Sequence, residues 1–237
     1  MTTQEFSIEF DILYNNLASN AAPPLNEYEK SVFLTKAQSD IVIELYSGRN
    51  NLGLAFESSE EVRRYLSSLE YKETARAYFN PTSEEGDTPI LGEWKVEVPQ
   101  EVWFITREEF KEVQVIPITQ DEYWKIKDNP FRGAKKGKRV LRVGKILLQN
   151  EYDIPGDPWA SEDNTFDYYY YGLKKPTPII LPDDNYTADL TIDGQSLGDY
   201  VGLDPQEIDI HPSLHRMILD RAVLYAKQAY IGGQTQA

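Results

Sequence analysis

Apolar residues change their spacing twice along this chain, and that limits the fold more than any other feature of the sequence. Up to about residue 80 they recur every three or four positions, the period of a helix face. From about 82 to 205 they gather into short β-branched and aromatic runs between turn residues, and from about 207 the helical spacing returns. A helix repeats every 3.6 residues and a strand every 2.0, so one uniform class cannot satisfy all three stretches. Phe6, Phe10, Leu13, Tyr14 and Leu17 predict a helix over 3–18, ended by Asn20-Ala-Ala-Pro-Pro. Asn26 with Glu29 forms a capping box for a second helix, whose inner face is Phe33, Leu34, Ala37, Ile41, Val42 and Leu45, up to the stop at Gly48. A third helix is expected from Ser58, boxed by Glu61, burying Val62, Leu66 and Leu69 before Asn80-Pro81 closes the segment.

In the middle, Gly86, Pro89, Gly92, Pro99 and Pro117 separate the runs EWKVEV, EVWFIT, EVQVIPI, RVLRVGKILL, DYYYYGL and TPIIL. Strands of that length with frequent turns indicate a mostly antiparallel sheet or small barrel. One short helix interrupts them, capped by Thr119 with Glu122, apolar at Tyr123 and Ile126, and ended by Asn129-Pro130. Residues 150–165 read as loop, and 183–206 as irregular with a tight turn at Asp193-Gly194. The last helix starts at Pro212, presents Leu214, Met217, Ile218, Ala222, Tyr225 and Ala229, and stops at Gly232-Gly233. Leu219, Val223, Leu224 and Tyr230 lie off that stripe, so this helix should pack against the N-terminal helices and also face a second neighbour. The expected class is α+β: a helical bundle over 1–81, closed by a C-terminal helix over 207–237, with an antiparallel β-rich insertion over 82–206.

A chain of 237 residues buries roughly 70–75% of its unfolded surface, enough for one or two ordinary cores. Cysteine is absent, which removes disulfides, thiolate zinc sites and cysteine nucleophiles. No apolar run approaches the roughly 18–20 residues of a bilayer span, and MTTQEFSIEF has no signal-peptide pattern. The expectation is a soluble protein made in a cytoplasm. The formal charge is -15, which argues against stable nucleic-acid binding. An acidic wall would, however, let a duplex pass without sticking. The 16 tyrosines and 4 tryptophans suit half-buried interface rings as well as ordinary strands.

Catalytic chemistry finds little support. The two histidines, His211 and His215, stand four apart, but Pro212 intervenes and no further histidine or cysteine could complete a zinc site. Surface or capping roles are expected for both, with no metal. There is no G-x-S-x-G elbow, no G-x-G-x-x-G and no P-loop, so no cofactor is expected. A pair of carboxylates can always be found among 39 acids, so glycosidase chemistry is neither supported nor removed. Of Tyr168 to Tyr171, two should face inward and two outward.

From Arg132 to Lys145 the chain carries seven cations (Arg132, Lys135, Lys136, Lys138, Arg139, Arg142, Lys145) and no acid. Three readings are open: a solvated hairpin tip, a contact with an acidic patch on another copy, or a nucleic-acid contact. The candidate intersubunit or partner contacts are Phe131, Arg132, Lys135, Lys136, Lys138, Arg139 and Tyr230.

Four segments, LNEYEKSVFLTKAQSDIVIELYSG (25–48), ITQDEYWKIKDNPFRGAKKGKRVLRV (118–143), LKKPTPIIL (173–181) and IDIHPSLHRMILDRAVLYAKQAYIG (208–232), together resemble the head-to-tail ring proteins of crAss-like short-tailed bacteriophages. That resemblance implies a non-enzymatic virion protein, an adaptor ring at the head–tail junction. It also implies a dodecamer bound to the portal and to other tail or ring proteins, through which genomic DNA passes without sequence-specific binding. No catalytic motif is carried over. A tail-tube or tail-completion component, or a carbohydrate-active tail enzyme resting on the acids and aromatics, are the alternatives.

Overall fold

The computed structural model describes residues 1–17, 23–50, 53–81, 92–97, 102–126, 129, 131–133, 139–148 and 165–234. They form two compact units, one from Met1–Leu69 with Lys175–Ala237 and the other from Glu70–Lys174. The chain is α+β. The β-rich part is a closed barrel, and the units divide at Glu70 and Lys174 rather than at 82 and 206. The loop expected at 150–165 lies almost wholly outside the described residues.

In the first unit, α1 (Thr3–Leu17) and α2 (Glu27–Ser47) both pack on the C-terminal helix α5 (His215–Gln234). Phe6, Phe10 and Tyr14 are buried on α1, as are Leu34, Ala37, Ile41, Val42 and Leu45 on α2. On α5 the buried set is Ile218, Leu219, Ala222, Val223 and Ala226, following Leu214, while Met217 and Ala229 are exposed. The inner face is therefore rotated from the expected stripe, because α5 must serve two neighbours at once. The helix also runs through Gly232-Gly233 to Gln234 instead of stopping there. The Asn26 capping box is formed on both sides, and Gly48 ends α2 at φ 74. The short helix α3 (Glu60–Leu66) is capped by Ser59 and not Ser58, whose hydroxyl is bonded to Ala55.

Lys30 is buried between α1 and α2, with its Nζ 2.7 Å from Asp11 and 2.9 Å from Glu27. Burial opposes its charge, but the hydrogen bonds it donates to both carboxylates outweigh that and hold its pKa above the ordinary lysine value. The TPIIL segment expected as a strand forms none. Its partner is a helix: Thr35 Oγ1 accepts from the Ile179 N–H at 3.1 Å and Ser31 Oγ from the Leu181 N–H at 2.9 Å. Two hydroxyls one turn apart on α2 thus satisfy the backbone groups that a strand would otherwise pair.

The third expected helix ends early. After one 3-10 turn at Ser67–Leu69 the chain becomes β1 (Glu70–Pro81). With β2 (Gly92–Val96), β3 (Val102–Phe110), β4 (Val113–Pro117), β5 (Val140–Val143), β6 (Ile146–Leu148) and β7 (Thr165–Lys174) it closes a barrel in the order β1-β2-β6-β5-β4-β3-β7. The inward set includes Ala77, Phe79, Trp94, Val96, Phe110, Val115, Val140, Leu147, Tyr168 and Tyr170. Trp94 lies between Phe79 and Phe110, each with ring centroids 5.4 Å away. Tyr169 and Tyr171 point outward, as the alternation requires.

All barrel pairings are antiparallel except β4 with β5, which is parallel. Parallel neighbours cannot be joined by a tight turn, so the chain must leave the sheet and return. Residues 118–139 make that excursion, beginning with α4 (Gln120–Ile126), on which Glu122 and Thr119 form the expected box. Of the basic run, Arg132 stands on this connection, Arg142 lies on β5, and Lys145 sits in the tight antiparallel turn from β5 to β6. In the first unit, β8 (Thr191–Ile192) and β9 (Gln195–Ser196) form a hairpin through Asp193 and Gly194 at φ 55 and 84. This is the tight turn expected there. Among the described residues no helix is long and apolar enough to cross a membrane.

Candidate assembly surface

The crossover presents its residues by local chemistry. The Asn129 side-chain oxygen accepts from the backbone N–H groups of Phe131 at 2.9 Å and Arg132 at 3.2 Å, while the Asn129 carbonyl accepts from Gly133 N–H at 2.8 Å. Asparagine suits this position because its short side chain imitates a backbone turn. The turn leaves the Phe131 ring 81% exposed, the most exposed large apolar side chain among the described residues, with Arg132 exposed beside it. Trp124 on α4 is 60% exposed. A turn whose backbone is held by three hydrogen bonds has less backbone entropy to lose on binding.

The cations of the run divide. Arg142 turns into the barrel, its Nε 2.9 Å from a Glu108 carboxylate oxygen, and donates to the Gly144 carbonyl at 2.7 Å. Lys145 pairs on the surface with Glu97 at 3.2 Å. Both are engaged within the chain, and neither is among the candidate contacts named from the sequence. Arg132 is exposed and Arg139 half-buried, while Lys135, Lys136 and Lys138 lie outside the described residues. Tyr230 belongs to the other unit, half-buried on α5 and near enough to Tyr14 to help raise that phenol's pKa, after burial itself.

Inside the barrel, Glu108 is almost fully buried and is adjacent in register to Tyr170 on β7 and Val115 on β4. The pKa of Tyr168 is pushed far up, first by burial and then by the Glu108 charge. The sequence gives no local sign of this ion pair, because Glu108 looks like any solvent-facing acid of a strand.

His215 is not at the surface. Its Nε2 lies 2.9 Å from the Ile210 carbonyl and its Nδ1 3.0 Å from the Met1 amine, with the Phe6 ring against it edge-on. Burial first, then the nearby ammonium, pull its pKa below the ordinary histidine value. His211 does cap, accepting from Ser213 N–H.

A second feature lies in the first unit, and its composition is visible in the sequence. From Asp183 to Ile210 there are eight acids (Asp183, Asp184, Asp189, Asp193, Asp199, Asp204, Glu207, Asp209) and no lysine or arginine. Part of this stretch forms a groove of about 810 Å³ lined by Thr3, 177–180, 194–196, 199–200, 203 and 206–209. Pro178, Ile180, Tyr200 and Leu203 give it apolar walls, and Asp199, Glu207 and Asp209 supply its acids. Asp209 accepts from Thr177 Oγ1 at 2.7 Å, and Thr3 N–H donates to the Gln206 carbonyl at 2.9 Å, fixing one wall to the start of α1. On Lys175, at the groove's edge in sequence, the charge is engaged by Asp193.

The chain thus carries an exposed Phe131–Arg132 turn on one unit and an acidic, apolar-walled groove on the other. Comparison with known proteins gives that asymmetry a context. Over residues 1–237 the sequence matches the family described as phage tail ring protein 3/4. It is 38% identical over 242 residues to ring protein 3 of Bacteroides phage crAss001, covering 95% of each chain. To ring protein 4/5 of the same phage it is 31% identical over 239 residues, covering 98% of this chain and 94% of the other. The chain belongs to the phage tail ring protein 3/4 family, as a ring structural protein of a crAss-like phage tail.

Proposed function

We propose that this protein forms a closed homo-oligomeric ring, twelvefold, in the stack that joins the portal to the tail, and that the genome passes through its lumen. The observation that carries this is the end-to-end similarity to two ring proteins of one phage, spanning both compact units. The higher identity to ring protein 3 favours the corresponding level of the stack. The role is structural and non-enzymatic: the protein's task is to present different surfaces to identical neighbours. A ring requires head-to-tail contacts in which one patch meets a different one, and separate basic and acidic features supply that difference. The excess of carboxylates suits a channel wall, since phosphate neutralisation is what makes a duplex adhere.

Cryo-electron microscopy of the intact virion tests the placement. The expected result is density for this fold as a twelvefold ring between portal and tail, with carboxylates outnumbering cations on the surface that faces the axis. Density for it along a tail tube, or at the host-facing tip, would replace the adaptor role. A strongly basic lumen would contradict the passage mechanism.

A further inference from the structure

We infer that the Phe131–Arg132 turn of one copy seats in the acidic groove of a second copy, making this pair the head-to-tail contact of the ring. The inference rests on the ring-forming reading above and adds to it the two surfaces that meet. Three independent properties match. The first is apolar character: the turn presents a single ring, 81% exposed, and the groove of about 810 Å³ has room for it between apolar walls at Pro178, Ile180, Tyr200 and Leu203. The second is charge. Arg132 follows the ring immediately, within a run that carries no acid, whereas the groove's acids Asp199, Glu207 and Asp209 lie in a stretch that carries no cation.

The third is order. Asn129 fixes the turn through its side-chain oxygen, and the groove's wall is fixed by Thr177 to Asp209 and by Thr3 to Gln206. Contacts between pre-ordered parts lose less entropy on forming. An aromatic anchor followed by arginine, entering a pocket rimmed by acids, is also the composition that dominates binding energy at interfaces. Because the donor and acceptor patches differ, each copy has one of each, and the contact propagates in one direction until it closes.

The absence of cysteine from the chain gives a direct test. Phe131→Cys and Leu203→Cys are made as separate variants; both side chains are exposed, so folding is not at stake. Each is purified, the two are mixed under conditions where the protein sediments as an oligomer, and the mixture is oxidised. The expected result is a covalent dimer in the mixture and none in either variant alone. A dimer from Phe131→Cys alone would mean a symmetric contact and overturn the proposal. Oligomers that form without the mixed cross-link would overturn this contact while leaving ring formation intact, and would give the groove to a different partner. A chain that stays monomeric at every concentration would remove the ring-forming reading together with this contact. As a second measurement, Arg132→Glu should weaken self-association about tenfold or more, and adding Glu207→Arg on the same chain should restore part of it.

Discussion

The guanidinium of Arg142 on β5 meets the buried carboxylate of Glu108 on β3 at 2.9 Å, reaching past β4, which lies between them in the sheet. One cation from the most basic segment of the chain is thereby spent on joining non-adjacent strands of the barrel. Removing a single partner of a buried pair leaves an uncompensated charge, which costs about 3–5 kcal/mol. Arg142→Met should therefore lower barrel stability by about that amount, while Glu108→Leu with Arg142→Met should recover most of the loss. Denaturant unfolding of the three proteins measures this; equal stabilities would show that the pair is immaterial.

Gly172 on β7 faces the backbone of β3, where the register slips at Trp103 and Thr106. A methyl group there would press on the Phe104 carbonyl oxygen, a backbone atom that cannot swing aside. The Thr106 hydroxyl donates to the Tyr171 carbonyl at 3.0 Å and holds the bulge together. Gly172→Ala should cost about 1–3 kcal/mol by overpacking, read as a lowered melting temperature.

The pKa of His215 is lowered in the folded helical unit, chiefly by burial and then by the Met1 ammonium. In the unfolded chain it titrates near 6.5. As pH falls through that value the unfolded state binds a proton the folded state resists, so stability declines toward the lower folded pKa. Unfolding followed from pH 7.5 to 5.5 should show this decline, and His215→Gln should flatten it. An unchanged slope in the variant would assign the effect to other groups.

Arg142 and Lys145 have acidic partners within the chain; the run's other three lysines are tested by substitution. Replacing Lys135, Lys136 and Lys138 together with glutamate should weaken self-association, measured by sedimentation, without moving the melting temperature. Lys145→Ala, which removes only an exposed pair with Glu97, should change stability by less than about 1 kcal/mol and leave assembly alone. Unchanged assembly in the triple variant would return the run to a solvated role.

What the sequence disclosed is local. The boxes at Asn26–Glu29 and Thr119–Glu122, the αL stop at Gly48 and the turn at Asp193-Gly194 depend on residues within a few positions of one another, and all four form. What it concealed depends on distant partners. Residues 70–79, EYKETARAYF, are rich in helix formers and read as helix, yet they lie in β1, which pairs along its length with β7 some hundred residues later. Strand membership there is set by that pairing and by the inward burial of Ala77 and Phe79, not by propensity. Closure of the barrel, the parallel step from β4 to β5 and the Arg142–Glu108 pair are hidden for the same reason. At the candidate surface the basic run was plain in the sequence, whereas the acid-only stretch from 183 to 210 was equally plain and its significance came only with the groove.

Electron microscopy of the purified protein tests most directly whether identical copies of this chain close on themselves through unlike patches. The account expects annular particles of one rotational symmetry, twelvefold, that persist at moderate ionic strength and fall apart as salt screens the contact. A uniform population of single molecules at all concentrations and salt conditions would contradict it.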